Sequence, residues 1–569
     1  MARNTVSYAQ PKSVCCQTRT LQGICILGGV ELKIQHKLGE AWGPLAQPVF
    51  RSLWLASVAS NIGTWMHSVG AAWLMTSLTE SPLLIALLTT MGSLPICLVG
   101  LPAGALADVL DRRRIVLLAQ FWMLAVAAVL GGLTIMGLMS PAILLSLTFL
   151  LSLGAALSLP AWQVLMPELV GKDLLASAVA LNGAGFNLAR AVGPALGGLI
   201  VAAAGAGAVF GLNALSFIAV IWVIARWQRP PPETRAVPEP VVSAIQAGGR
   251  YARYARELRA VLVRTAAAII GGSALWALLP VVASQELGLS ALGYGVLLGS
   301  VGIGAVAGVP LLARLRAAYS LDVIVTTMTV VMGLTTVALG YVHNVWLLNA
   351  ALVLTGAAWL GLTSCLNDAA QTVVPAWVQA RALGVYQLVF QGCFAAGAAG
   401  WGALAGQMGN AQALLIAALA LAIGLITALR WHIQTGEEID LRPARRRRLP
   451  KPVLEPALEA GPVLVHIEYR IRKREEANFV QAMEEVGLIR LRDGASRWEV
   501  FCDPTEPGRY VETFEVASWA EYLRQHERAT IADQEVEARA LACLKPGTVP
   551  IVEHLVSARS MRVATGVMG

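Results

Sequence analysis

Charge is scarce in this sequence. Only 14% of its 569 residues are Asp, Glu, Lys or Arg, against about 25% in soluble domains, while 56% are hydrophobic. A large soluble enzyme is thereby excluded and a polytopic membrane protein indicated. Cysteine is scarce as well. Cys15, Cys16 and Cys25 lie near the N-terminus, Cys97, Cys365 and Cys393 in apolar runs, and Cys502 and Cys543 near the C-terminus. Their spacing fits neither a disulfide framework nor a metal-ligand set, so they read as free thiols, and no metal or cofactor is expected. The net charge of +8 does not call for a nucleic-acid partner. Residues from 460 onward are net acidic, so the whole positive excess sits in loops before them. Residues 1–45 read as a disordered tail or an early start codon: Leu21–Val30 is apolar but short, and no Ala-x-Ala cleavage site follows it.

What is abundant is apolar sequence in membrane-length runs. Spans able to cross a hydrocarbon core of ~30 Å are expected at 50–76, 83–107, 114–137, 141–160, 175–203, 207–226, 263–285, 291–313, 321–341, 345–366, 381–406 and 411–430. The loops test this count. Those near Thr79, Ser140, Gly205, Leu287, His343 and Gly409 contain no Lys or Arg. The other side carries Arg112–Arg114, Lys172, Arg226 to Arg259, Arg314, Arg316, Arg381 and Arg430 through Arg445–Arg448. Positive loop charge stays inside, so a multi-pass protein of the cell membrane with both termini cytoplasmic is expected.

A loop at 227–262 divides the spans six and six, into halves at 46–226 and 263–432. It opens with Pro230-Pro231-Pro232 and continues as a basic helix bearing Arg250, Arg253, Arg256 and Arg259. That helix reads either as lying against anionic headgroups or as a docking site. The halves repeat. Gln163-Val-Leu-Met-Pro167 follows the fourth span and Gln371-Thr-Val-Val-Pro375 the tenth; one further offset aligns Asn182 with Gln387 and Gly197-Gly198-Leu199 with Gly402-Ala403-Leu404.

Between the second and third spans, Gly104-Ala-Leu-Ala-Asp108-Val-Leu-Asp111-Arg-Arg-Arg114 packs five charges into seven residues, which cannot sit at mid-bilayer. Its spacing resembles the corresponding loop of major facilitator superfamily (MFS) transporters. Val109 and Asp111 depart from the family pattern. The resemblance implies a conformational latch made of Gly104, Asp108, Arg112, Arg113 and Arg114; positive-inside anchoring is the plainer alternative. The counterpart in the second half keeps Arg314 and Arg316 and no acid. In span 5, Arg190, Gly193, Pro194, Gly197 and Gly198 resemble the Gly-Pro-x-x-Gly-Gly motif of MFS antiporters; helix packing alone would also use these residues. Arg190 lies mid-span, where an unpaired cation is costly, so it either faces a central cavity or snorkels to the surface. Asn61, Trp65, His67, Asn187, Gln387 and Gln391 are the other polar cavity candidates. With Trp42-Gly-Pro-Leu-Ala-Gln-Pro-Val-Phe-Arg-Ser-Leu-Trp54, Ser60-Asn-Ile-Gly-Thr-Trp65 and Leu165-Met-Pro-Glu-Leu-Val170, residues 42–435 resemble the transmembrane secretion effector branch, related to enterobactin exporters.

After a basic, Pro-rich linker at 433–461 the composition turns soluble. Strands are expected at Val463–Ile471, Arg497–Cys502, Tyr510–Val516 and Val549–Ser557. Helices are expected at Glu475–Leu488 and from Ser518 to about Cys543, the latter with Glu521 completing a capping box. This βαββαβ order implies a ferredoxin-like domain over 462–569. It resembles the dimeric α/β-barrel monooxygenase-like domains, which implies dimerisation and makes Asn478, Trp498, Trp519 and His526 pocket candidates.

The fold class expected is therefore an all-α membrane protein of twelve helices in two six-helix halves, the MFS fold, with a cytoplasmic α+β domain. The function expected is alternating-access export of a small organic molecule: a siderophore, secondary metabolite or drug. The alternative is a membrane-tethered oxygenase or sensor acting through the C-terminal domain. Protons as coupling ion follow from the resemblance alone, since His67, Asp108, Glu286 and Asp368 are the few titratable groups in or beside the spans.

Overall fold

Proline opens three of the long helices at the first turn, where its missing N–H leaves nothing unpaired: α1 (Pro48–Leu78), α2 (Pro82–Val109) and, after α3 (Arg112–Ile135), α4 (Pro141–Leu169). There follow α5 (Leu175–Arg226), α6 (Val241–Tyr254), α7 (Arg256–Val281), α8 (Ala291–Ala318), α9 (Leu321–Tyr341), α10 (Val345–Thr372), α11 (Gln379–Met408) and α12 (Asn410–Arg430). The computed structural model describes residues 42–227, 241–434, 439–444 and 456–560; side chains at 101, 105, 107–109, 164, 166–168, 172 and 241–245 are outside that description. The expectations for residues 1–41, Pro230–Pro232, Arg445–Arg448 and the Asp108 side chain therefore lie outside the described residues.

Among the described residues ten helices are long and apolar enough to cross a membrane. One of them, α5, runs 52 residues and bends at Gly205, whose φ of +79° only glycine adopts freely, so it makes two spans. The 31-residue α1 completes the twelve; its Ser, Asn, Thr and His residues dilute its hydropathy. Gly409, at φ +90°, makes the same bend between α11 and α12, at the corresponding place in the second half. The expected two halves are thus α1–α5 and α7–α12.

Burial is uneven across the membrane. On the face whose loops lack Lys and Arg, one core joins both halves: Val69, Met75 and Phe210 pack in the same cluster as Leu278, Leu297, Leu352 and Ala405. On the opposite, basic face the cores are separate. Phe50, Leu53, Val116, Leu165 and Ile224 form one within the first half; Leu258, Val325, Leu362, Leu366 and Val378 form another within the second.

The C-terminal unit is a four-stranded antiparallel sheet of order β2-β3-β1-β4, from β1 (Val463–Arg470), β2 (Ala495–Cys502), β3 (Arg509–Val516) and β4 (Ile551–Val556). This is the ferredoxin-like order. Val463, Val465, Ile467 and Tyr469 on β1 and Phe514 and Val516 on β3 make the core with Phe479, Met483 and Val486 of α13 (Glu476–Asp493). The single helix expected from Ser518 is two. α14 (Trp519–Arg528) is capped by Ser518, and α15 (Ile531–Leu541) by a capping box between Thr530 and Asp533. The Glu521 carboxylate is drawn off by Arg524 and Arg528, at 2.7 and 2.6 Å, which is why it does not close the box.

Candidate functional site: a central cavity and its charged rim

The seam between the halves can be followed residue by residue. Gly198 meets α8 so closely that an added Cβ would lie 2.6 Å from the Ala291 carbonyl, and one on Gly302 would lie 2.5 Å from Ala191 Cα. Gly193 and Gly197 instead seat α1, against Trp65 and Met66. The span-5 motif thus packs two neighbours at once, one from each half, with the buried Pro194 between them. A second seam joins α2 to α11: Gly402 packs on Leu83 and Ala86, the Thr90 hydroxyl donates to the Ala395 carbonyl at 2.9 Å, and Gly392 packs near Cys97. Gln285 donates to the Glu80 carbonyl at 3.0 Å.

Both stripes run on toward the basic face, where the halves part. On α5 the stripe continues to Asn187 and Gly183, where an added Cβ would meet nothing within 4 Å. On α11 it continues from Ala395 through the half-buried Gln391 to the exposed Gln387. Asn187, Gln387 and Gln391 therefore lie on helix faces that leave the seam together.

At the head of this space sits Arg190, only 7% exposed. Its guanidinium carbon is 5.9 Å from the Trp65 ring of α1 and 5.6 Å from the Trp276 ring of α7. Its Nε and Nη2 are buried without a hydrogen-bond partner. No carboxylate lies within 4.0 Å of it among the described residues. Trp65 also touches Phe186, which is 47% exposed. From Trp276 an aromatic chain continues through Trp359 to Phe390 and Phe394, with centroids 5.6, 6.3 and 5.9 Å apart. Sequence reasoning missed Trp276, Trp359 and this chain, although Tyr386, Phe390 and Phe394 recur at a four-residue interval on one helix. Asn61 sits half-buried one turn from Trp65. His67 is placed differently: it is buried inside the first half, 4.7 Å from the Phe210 ring, and both its ring nitrogens are unpartnered.

The loop after α2 works through capping. Asp111 accepts from the backbone N–H groups of Arg113 and Arg114, at 2.9 and 3.4 Å, and so starts α3. Arg113 donates to the carbonyls of Ile224 and Ala225, at 3.0 and 2.7 Å, closing the C-terminus of α5, where a cation meets the negative end of the helix dipole. Gly104 has nothing within 4 Å of an added Cβ. In the second half Arg316 finds its acid on another helix: Asp368 of α10, at 2.5 Å.

On the basic face α6 lies against the C-terminal domain. Arg250 pairs with Glu521 at 3.3 Å. Arg492 lies over the Tyr251 ring at 5.5 Å, and Arg528 over the Trp377 ring at 4.5 Å; Tyr251 and Trp377 meet edge to face. Burial pushes the Glu521 carboxyl up, but hydrogen bonds from Arg528 and Arg524 outweigh it and hold the group below its ordinary range. The basic helix expected across 250–259 is broken at Ala255: Arg256 and Arg259 belong to α7, and Arg250 serves the docking contact.

The four C-terminal pocket candidates do not converge. Trp498 donates to the fully buried Glu512, which also holds Tyr469 and Arg490. Asn478 is exposed and donates to Glu475. Trp519 and His526 share a separate cluster with Tyr522 and His554.

Residues 39–562 match the family described as transmembrane secretion effector, and the chain belongs to that family of MFS transporters. It is 27% identical over 400 residues to the multidrug efflux pump Tap of Mycolicibacterium fortuitum, covering 68% of this chain and 93% of that one. It is 26% identical over 162 residues to the staphyloferrin A transporter of Staphylococcus aureus, covering 28% and 41%. Among solved structures, a bacterial homologue of the human lysosomal transporter Spinster, inward-facing and unoccupied, aligns with TM-score 0.54 at 13% identity over 69% of this chain and 97% of that one. The nucleoside transporter NupG aligns with TM-score 0.56 at 12% identity, covering 68% and 100%. At these identities the structures share the fold.

Proposed function

We propose that this protein exports small organic molecules from the cytoplasm by alternating access, and that it stands here in its inward-facing state. One observation carries the reading: a single core joins the halves on the uncharged face, while the basic face has two separate cores with Asn187, Gln387 and Gln391 on the diverging helices. Positive charge marks the basic face as cytoplasmic, so the cavity opens to the cytoplasm and cargo enters from there. Both termini and the C-terminal domain then lie in the cytoplasm. The names of the efflux pump and the siderophore transporter support small-molecule cargo, and the aromatic head of the cavity suits a flat or amphipathic body. The C-terminal domain acts as a docked accessory rather than an enzyme, because its candidate residues are dispersed. Efflux from a hypersensitive host, combined with metabolite profiling of a deletion strain, tests this. Export of at least one compound should disappear on deletion and return with the full chain; an unchanged exometabolome and unchanged sensitivity would sink the reading.

A further inference from the structure

We infer that Arg190 is the anchor for an anionic group on the cargo, so that the molecules this protein moves are organic acids whose charge lies beside a flat apolar body. The inference rests on the export reading and narrows its substrate class. An isolated cation is expensive in a low-dielectric interior, several kcal/mol even after relaxation, so a buried one is retained where something offsets the cost. Among the described residues, structural ion pairing does not. Asp322 and Asp368 are engaged by Arg264 and Arg316, Glu257 lies in the first turn of α7 at the basic face, and Glu80 and Glu286 sit at helix ends on the uncharged face. The Trp65 and Trp276 rings offset part of the cost through the attraction of a cation to their faces. They leave hydrogen-bonding capacity unfilled, and the two unpartnered nitrogens, Nε and Nη2, are the ones whose N–H bonds run parallel along one edge of a guanidinium. That edge grips a carboxylate, or another two-oxygen anion, in bidentate fashion.

The position serves transport. Arg190 lies where the α5 stripe passes from contact with Gly302 toward the open position at Gly183. An anion bound there touches both halves through the rings of Trp65 and Trp276, and it removes the unpaired charge that otherwise burdens the sealed seam. The exposed Phe186 beside Trp65 offers a ring face to the apolar part of the same molecule.

The test uses the full chain in nanodiscs and three probes of one shape: 2-naphthoate, 2-naphthamide and 2-naphthylmethylammonium, titrated calorimetrically. The naphthoate should bind at least about tenfold more tightly than the amide, and the ammonium least. Arg190→Gln should erase that preference and Arg190→Lys should keep part of it. Equal affinity for the three probes in the unmodified chain, no binding of naphthoate, or an unchanged preference in Arg190→Gln each overturns the inference; the first two outcomes need no variant that folds. Counterflow of the same probes from proteoliposomes separates the two readings. Movement of amide or ammonium without naphthoate refutes anionic cargo and leaves export standing, whereas metabolite export absent from the deletion-strain comparison removes the export reading itself.

Discussion

Arg528 of the C-terminal domain lies 4.5 Å over the ring of Trp377, which belongs to the turn between α10 and α11 of the membrane part. Arg528 is itself fixed by Glu521 and by the Asp493 carbonyl, at 2.6 and 2.5 Å. The domain thus holds the second half and the central helix α6 through groups that it also binds internally.

Trp377 lies in the membrane part, so its removal tests the contacts it makes with Arg528 and Tyr251 without touching the core of the C-terminal domain. Trp377→Ala should release α6 and α14. Amide exchange over 241–254 and 519–528 should quicken about 5- to 30-fold, the equivalent of 1–2 kcal/mol, while the β1–β3 amides keep their protection. Trp377→Phe should lie between the two. Equal exchange in all three proteins would mean that the domain is held elsewhere.

Arg113 makes a different kind of prediction. If its charge only anchors the loop on the cytoplasmic side, Arg113→Lys is silent. The structure gives it two hydrogen bonds to the last carbonyls of α5, and bonds from a charged donor contribute about 1.5–3 kcal/mol. Arg113→Ala should lower the unfolding free energy in detergent by about that amount. Arg113→Lys, which keeps the charge and loses the fork, should recover less than half. Denaturant titration of purified protein reads both.

The twelve spans were legible because a bilayer demands long apolar runs, and the two halves because repeated Gly and Pro positions survive in the sequence. The bend at Gly205 was legible as a loop lacking Lys and Arg. The partners of charged side chains were not. The acid missing from the loop after α8 is Asp368, 52 residues beyond Arg316, and no spacing rule links them. Trp276 and Trp65 meet around Arg190 only because the Gly198 seam sets two halves in register. The break at Ala255 was hidden because Arg250, Arg253, Arg256 and Arg259 keep a helical interval across it. The end of α14 at Ala529 was hidden because Thr530 and Asp533 form a second cap inside a stretch of good helix formers.

Gly295 should be a switch for the seam. A Cβ there would lie 2.6 Å from the Pro194 carbonyl and 3.0 Å from Gly198 Cα, and neither backbone can yield while the uncharged face stays closed. Gly295→Leu should therefore hold that face open. A cysteine placed at the fully buried Leu297, in a background without other cysteines, should react with an impermeant maleimide at least about tenfold faster from that side, and efflux should fall by a similar factor. Unchanged labelling would show that the seam does not lie at this pair.

His554 supplies a pH dependence that can be given a sign. Its ring bonds the Tyr522 hydroxyl at 2.5 Å and shares the cluster with Trp519 and His526. Burial first, and then the neighbouring His526 charge, push its pKa below the ordinary value of 6.5. The folded domain therefore binds this proton less readily than the unfolded chain does. The contribution of neutral His554 is complete above pH 6.5 and is lost as pH falls through that value toward the lower folded pKa. The C-terminal domain of the full chain should melt earlier at pH 5.5 than at pH 7.5. His554→Gln has nothing to titrate there, so its melting should differ less between the two pH values, whatever the substitution costs at neutral pH. A difference as large in His554→Gln as in the unmodified chain would assign the dependence to another group.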